Sequence, residues 1–444
     1  MNGPVVRLTM LGAVLAATMI SALLYYGSTA ADAPTQGRAL TFIGLLTSGV
    51  VAYLLAVQFL LRTPLPASTL WLVLGLAALL RLAFLPAPPL LSTDIYRYVW
   101  DGKVQAAGIN PYRFIPADPA LAHLRDADIY PKINRADYAR TIYPPAAQIV
   151  FAAVAQVSAS VIGMKVAMLA FEAMAIVCIL QILSIAGLPR ERILIYAWNP
   201  LPLWSFAGDG HVDAIAVGGM ALALLARARH RDGWAGGLLA VATLAKFLPV
   251  VVAPAFLRGG TFWRPTLVGS AVIVGLYLVY SSAGEHVLGF LGAYGNEEGY
   301  DTGSGYWLLA GVSRLVALPP YSGPVYGLCG ALAYAALAIR VARGWPGDAA
   351  PDSVALCRDA AILAGFATLI VTPHYYWYYA WLALPCVVAP IQAVIWLSSA
   401  PLLLVIDPLN ERFLWPALVF MPALVIAGRS MWRNRSALHR VSIT

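Results

Sequence analysis

The chain has 444 residues, of which 60% are apolar and 11% charged, whereas globular domains run at roughly 45–50% apolar and about 25% charged. That balance excludes a soluble domain, a disordered chain, a coiled coil and a disulfide-stapled secreted scaffold, and it leaves an all-α polytopic membrane protein. The net charge of +8 argues for no nucleic-acid partner, because basic residues in a membrane protein chiefly set its orientation.

A helix needs about 20 apolar residues to cross roughly 30 Å of hydrocarbon. In chain order the candidate crossings are Leu8 to Tyr25, Leu40 to Leu61, Leu70 to Leu90, Lys165 to Ala186, Ile193 to Ala207, Ala214 to Leu225, Thr266 to Tyr280, Pro324 to Ile339, Ala360 to Thr372, Tyr375 to Val388, Ala393 to Ile406 and Leu414 to Ile426. They predict one transmembrane domain over residues 1–444 with about 12 helices. The first stretch, with Arg7 before it and Ser28-Thr29-Ala30 after it, has the outline of a secretory signal as well as of a retained helix; it is read here as retained, with Ala31 emerging outside.

Two further apolar stretches have another shape. Residues 234–257 carry Lys246 and Pro249 at their centre, which suits a broken or re-entrant helix pair, because irregular backbone at membrane depth needs protein or a wet cavity around it. Ala146 to Val157, entered through Pro144-Pro145, reads as a juxtamembrane helix. With the N-terminus inside, 16 arginines fall in inside segments and only Arg38 and Arg412 in short outside loops, which fixes the predicted topology. That parity requires both irregular assignments. Cys178, Cys329, Cys357 and Cys386 sit within or at the ends of apolar segments and show no metal-ligand spacing.

The polar residues gather on the predicted outside. Residues 92–145 form a long loop holding 7 of the 29 basic residues, and long ordered loops on rigid scaffolds commonly carry function. In it Asp94, Arg97, Tyr98 and Asp101 stand at i, i+3, i+4 and i+7, so a helix there would put them on one face. The functional reading is a carboxylate base beside cations for an anionic headgroup, and the bland one is interfacial anchoring. Asp126-Ala127-Asp128 is a DxD triplet, a pattern that could hold a divalent metal and that also arises by chance.

Three other groups face the same side. Asp209, His211 and Asp213 lie within six residues at the mouth of two helices, where ionisable groups are functional candidates and a hydrated glycine turn is the plain alternative. His374, Tyr375, Tyr376 and Trp377 open the next aromatic run, either as an interfacial belt or as sugar or lipid contacts. Lys246 needs an anion at that depth: a lipid phosphate on one reading, Glu172 or a helix-end carbonyl on the other. Neither GxxxxGK[ST] nor GxGxxG occurs, so an activated substrate would come from the membrane rather than from a nucleotide site.

Taken in order, DIYRYVWDGKVQAAGINPYRF from Asp94, TIYPPAAQ from Thr141, NPLPLWSFAGDGHVDA from Asn199, LAKFLPVVVAP from Leu244 and PHYYWYYAW from Pro373 resemble the GT-C superfamily of integral-membrane glycosyltransferases, in particular polyprenyl-phosphate-mannose-dependent mannosyltransferases. The resemblance spans roughly residues 70–390. It implies a helical bundle whose large first extracytoplasmic loop is catalytic and carries juxtamembrane helices. It also implies inverting transfer of a hexose, mannose by the likeness, from a polyprenyl-phosphate donor to a lipid or glycan acceptor, with Asp94 matching the family's candidate base. Some GT-C branches need a divalent cation and others do not, so the resemblance leaves that cofactor open and no metal ligand is assigned.

Under this reading Arg97, Lys103, Arg113 and Lys246 bind the donor phosphate. Asp101, Asp209, His211, Asp213, His374, Tyr375, Tyr376 and Trp377 recognise sugar or acceptor or orient the base. The Ala- and Arg-rich composition with few lysines favours a bacterial inner membrane with a periplasmic site. The competing functions are a transporter or flippase of a lipid-linked saccharide, with Lys246 and Glu172 marking its path, and a non-catalytic assembly subunit.

Overall fold

A computed structural model describes residues 3–29, 36–258, 262–345, 347–407 and 411–441; Ala30 and Ala31, where the signal-like outline of the first segment would end, lie outside them. The regular elements among the described residues are all helices, with no strand. Six of their helices are long and apolar enough to cross a bilayer: Gly3–Ser28, Gly37–Arg62, Val161–Ile185, Ser322–Ala342, Asp352–Val371 and Leu414–Arg433.

The N-terminal helices α1 (Gly3–Thr29) and α2 (Gln36–Arg62) lie side by side. Next, α3 (Thr69–Phe84) stops after 16 residues, because Pro86, Pro88 and Pro89 cannot donate to a helical ladder. After the loop helices α4 (Asp94–Ala106) and α5 (Pro145–Ser158) comes α6 (Val161–Ile185), apolar on every side as a membrane-crossing helix can be and less than half buried within the protein. Its one acid, Glu172, meets Arg81 of α3 at 2.7 Å, and that guanidinium also donates to the Ala197 carbonyl at 2.7 Å. A charge at this depth is tolerated when paired in this way. At the N-terminal end of α6, Lys165 donates to the carbonyls of Phe84 (3.1 Å) and Ala87 (2.7 Å), which the ending of α3 leaves without helical partners.

The stretch Ile193 to Ala207 is not the single helix expected. It runs as Leu194–Ala197, Pro200–Pro202 and a wide turn over Leu203–Gly208, since Pro200 and Pro202 interrupt the ladder and the Asn199 side chain accepts from Leu201 N at 3.0 Å instead. Residues Tyr375 to Val388 likewise form a 3₁₀ run, Tyr376–Leu382, and a short turn, Ala383–Cys386; Tyr379 donates its hydroxyl to the Pro373 carbonyl at 2.6 Å, and Pro385 prevents a longer helix. Ala393 to Ile406 divides into Gln392–Leu397 and a 3₁₀ run, Ala400–Val405, entered through Pro401.

The helices α7 (Asp213–Ala228), α8 (Asp232–Thr243) and α9 (Trp263–Val279) form a consecutive packed set. Between α8 and α9 the contact is at backbone distance: a Cβ on Gly236 would stand 2.1 Å from the Pro265 carbonyl oxygen, the kind of approach that small residues permit between membrane helices. Beyond α8 the chain passes irregularly through Leu244 to Phe247, then Leu248–Val252 and Ala253–Phe256. The Leu244 carbonyl accepts from Ala146 N at 2.9 Å, docking this break on the start of α5. A bend of 110° follows α9 and leads into Ser281–Glu297; α10 (Ser322–Ala342), α11 (Asp352–Val371) and α12 (Leu414–Val441) complete the chain.

Candidate active site

The residues 92–145 are ordered by two helices. On α4 the side chains of Arg97 and Asp101 turn inward and are buried, while Asp94 at its first turn is half-buried. Gly102 lets α4 lie directly on α5, since a Cβ there would come within 2.5 Å of the Phe151 carbonyl oxygen. Asp101 is fully engaged: its oxygens accept from Arg97 Nε (2.9 Å), Thr141 Oγ1 (2.5 Å) and Gln148 Nε2 (2.9 Å). Arg97 also donates twice to the Ala139 carbonyl at 3.2 Å. This network ties the start of the loop to its end and aims Asp94 at the open space between them.

That space is a cavity of about 490 Å³, within the ~300–1,000 Å³ typical of small-molecule sites. Its wall brings together Asp94, Arg97, Asn134, Arg135, Arg140, Lys246, Tyr375, Trp377 and Tyr378, with Leu90, Leu91, Ile142, Phe247, Leu248, Phe290 and Leu291 forming an apolar flank. Asn134 Nδ2 donates to Asp94 Oδ1 at 2.6 Å. Lys246, in the break after α8, has Asp213 Oδ2 at 3.2 Å and the Tyr378 ring at 4.4 Å. The partner of Lys246 is thus Asp213, and the expected alternative Glu172 belongs to Arg81. The two charges from which a transport path was read are held in separate pairs.

Behind this wall lies the connection between Gly208 and Asp213. Asp209 accepts from the backbone N–H groups of Leu90 (2.8 Å) and Leu91 (3.0 Å) and from the Tyr376 hydroxyl. Burial pushes its carboxyl up to about 6 against the opposing pull of these donors. His211 stacks on Trp377 at 4.1 Å, and Trp377 stacks on Tyr375 at 4.7 Å. Its Nδ1 is 3.3 Å from the Tyr98 hydroxyl. Burial first, and Lys246 second, hold the imidazole well below its ordinary value, so it is neutral near pH 7. Burial also raises Asp213, partly offset by Lys246.

Several expected contacts lie elsewhere. Asp101, Asp209, His211, Asp213 and Tyr376 do not line the cavity, and His374 lines a second one. Lys103 pairs with Asp126 away from the cavity, and Arg113 lies over Phe114. Asp126 Oδ1 accepts from Asp128 N (2.9 Å) and Ile129 N (2.6 Å), so the DxD triplet closes a turn with its first carboxylate spent on protein donors. Among the described residues no three His, Cys, Asp or Glu side chains converge as a metal site would require. Arg135, Arg140, Asn134 and Tyr294 also line the cavity, and no sequence motif marks them. Asn134, Arg135 and Arg140 stand in an irregular stretch and Tyr294 in the short helix Leu291–Glu297, and Arg135 is set apart only by a left-handed backbone, φ 54°, which no sequence pattern announces.

Residues 5–259 match the family model MptA_B, described as "Alpha-(1->6)-mannopyranosyltransferase, N-terminal domain". The chain belongs to this mannosyltransferase family. No curated protein and no solved structure matches it. As a member of the MptA_B family it is a mannose-transferring glycosyltransferase, and the apolar helices make it an integral membrane one. The matched span contains Asp94, Asn134, Arg135, Arg140, Asp213 and Lys246, while Tyr294 and the aromatic run from Tyr375 to Tyr378 complete the cavity from beyond it.

Proposed function

We propose that the cavity is the reaction site of an inverting, GT-C-type mannosyltransferase that takes mannose from a polyprenyl-phosphate donor and passes it to a lipid or glycan acceptor on the periplasmic face of a bacterial inner membrane. The observation that carries this reading is the convergence of Asp94, Arg135, Arg140 and Lys246 on one cavity with an apolar flank. An anionic phosphate, a polar sugar and a prenyl chain need these three surfaces at once. The about twelve crossings and the extracytoplasmic 92–145 loop belong to this proposal, with the shorter helices and the broken 234–257 segment completing the bundle around the site.

The step is a single displacement. Asp94 accepts the proton of the acceptor hydroxyl as that oxygen bonds to the anomeric carbon from the face opposite the phosphate. The bond from the anomeric carbon to the phosphate oxygen breaks, and polyprenyl phosphate leaves with the electron pair. Proton transfer by a positioned base typically contributes about 10²–10⁴-fold. Lys246, Arg135 and Arg140 take the charge that grows on the leaving phosphate, which oriented cations in a water-poor site do well. The Tyr375 and Trp377 rings offer faces to sugar or prenyl chain.

Purified protein supplied with polyprenyl-phosphate mannose and a mannose-containing acceptor is expected to form a mannosylated product, and Asp94→Asn to lose at least about 10²-fold in kcat. Full turnover by the Asp94→Asn protein would remove Asp94 as the base. Movement of the lipid across proteoliposomes with no covalent product would replace the enzyme reading by a flippase.

A further inference from the structure

A second cavity of about 280 Å³ adjoins the first. Tyr375 lines both, and the boundary is reinforced by an ion pair across it: Arg135, on the wall of the first cavity, meets Glu297, on the wall of the second, at 2.7 Å. The two spaces differ in charge. The lining of the first has Arg97, Arg135, Arg140 and Lys246 against Asp94, with Asp101, Glu297 and Asp213 paired to three of those cations from outside its wall. The second has Glu297, Glu298, Asp407 and Glu411 against Arg412, with His374 beside them. Its other surfaces are largely aromatic, with Trp307, Trp415 and Phe420 joining Tyr375.

The geometry points to the second cavity as the seat of a neutral saccharide, the part of the acceptor adjoining the hydroxyl that receives mannose. Charge sorts the substrates: a phosphate is attracted to the first cavity and repelled from the second. A polyol is served by the opposite set of groups, because carboxylates accept hydrogen bonds from its hydroxyls and aromatic faces cover its apolar ring surface. Glu297 and Glu411 are already paired with Arg135 and Arg314, which leaves Glu298 as the carboxylate suited to that task. Burial alone would raise Glu298, but hydrogen bonds from His374 and Tyr294 outweigh it and hold the carboxyl below its ordinary value, so it stays ionised and accepting. The volume lies just under the usual range for drug-sized ligands, which fits a sugar ring and not a prenyl chain. An acceptor seated here extends its reactive hydroxyl past Tyr375 toward Asp94.

This inference rests on the reading of the first cavity as the donor and reaction site, so its test measures binding separately from turnover. Ser304 lines the second cavity from an exposed position, and Ser304→Trp fills the space from outside the packed core. Glu298→Gln removes a charge while keeping shape. Calorimetric titration of the detergent-solubilised full chain with a neutral mannose oligosaccharide, and separately with polyprenyl phosphate, is expected to show saccharide affinity falling at least about tenfold in both variants with polyprenyl-phosphate affinity held within about twofold. Unchanged saccharide affinity in both variants overturns the proposal, and so does loss of polyprenyl-phosphate binding with saccharide binding intact. Wild-type protein that binds both ligands as described but transfers no mannose would instead sink the reaction assigned to the first cavity and leave this site standing.

Discussion

At the scale of single residues the decisive pair is Lys246 with Asp213. The ammonium lies 3.2 Å from the carboxylate and over the Tyr378 ring, at the edge of a cavity that already holds three arginines. A purely structural pair and a donor-binding cation make different predictions. Lys246→Met strands Asp213, and removing one member of a buried pair costs about 3–5 kcal/mol when the other stays charged; because burial already raises Asp213, that carboxyl can take up a proton and the loss is expected at or below the low end, about 3 kcal/mol. Replacing both, as Lys246→Met with Asp213→Asn, removes the stranded charge and is expected to restore thermal stability in detergent. Transfer is expected to remain depressed in the double variant, with the donor KM raised at least about tenfold because the donor phosphate loses a binding cation, and with kcat lowered because the leaving phosphate loses the same charge. Recovery of wild-type donor KM together with stability would reduce the pair to a fold element.

The elements around the site show which features a sequence makes visible. The i, i+3, i+4, i+7 pattern on α4 is local, so Asp94, Arg97 and Asp101 could be placed on one helix from spacing alone, and structure confirms the helix over Asp94–Ala106. What spacing could not supply was the division of labour: Asp101 is buried in a network with Thr141 and Gln148, 40 and 47 residues away, and Asn134 reaches Asp94 across another 40. Apolar periodicity also cannot distinguish a straight helix from an interrupted one where prolines and aromatic residues are dense, which is why Ile193 to Ala207 and Tyr375 to Val388 read as helices and are not. Asp209 joins these two interrupted stretches to the segment leading into α4 through Leu90, Leu91 and Tyr376.

This junction carries a pH signature. The carboxyl stands near 6 in the folded chain against about 3.9 in an unfolded one. A group raised by folding contributes stability that is fully present below the unfolded value and lost as pH rises through the folded one. The contribution is at most about 3 kcal/mol across roughly pH 4 to 6.5. Asp209→Asn is neutral at every pH and has no such term. The stability of wild type minus that of Asp209→Asn, measured by thermal unfolding in one detergent, is therefore expected to fall as pH rises over that window and then to level off; a flat difference would place the folded carboxyl near its ordinary value.

For the whole molecule the basic residues make one more argument. The predicted inside segments contain Arg227, Asp232, Arg258, Asp348, Arg358 and Asp359, from three connections far apart in sequence. In the structure they form one network: Arg227 with Asp232 at 3.5 Å, Arg258 with Asp348 at 2.7 Å and with Asp359 at 3.1 Å, and Arg358 with Asp348 at 2.7 Å, the two groups joined where Arg227 donates to the Arg258 carbonyl at 2.9 Å. Hydrogen bonds from Arg358 and then Arg258 hold Asp348 well below the usual carboxylate range. The predicted outside segments, 92–145, 209–213 and 374–378, meet one another at the first cavity or just behind it. Connections assigned to one side by the excess of arginines thus touch each other, which supports the parity that the broken segment after α8 and the non-crossing α5 require. Single cysteines in a background with the exposed Cys329 replaced by serine test it directly. Asp137→Cys and Arg231→Cys both lie at exposed positions. A membrane-impermeant thiol reagent applied to cells with a permeable outer envelope is expected to label Asp137→Cys at once and Arg231→Cys only after the inner membrane is opened. The reverse order would invert the orientation and move the reaction to the cytoplasmic face, whereas immediate labelling of both would show that α5 crosses after all.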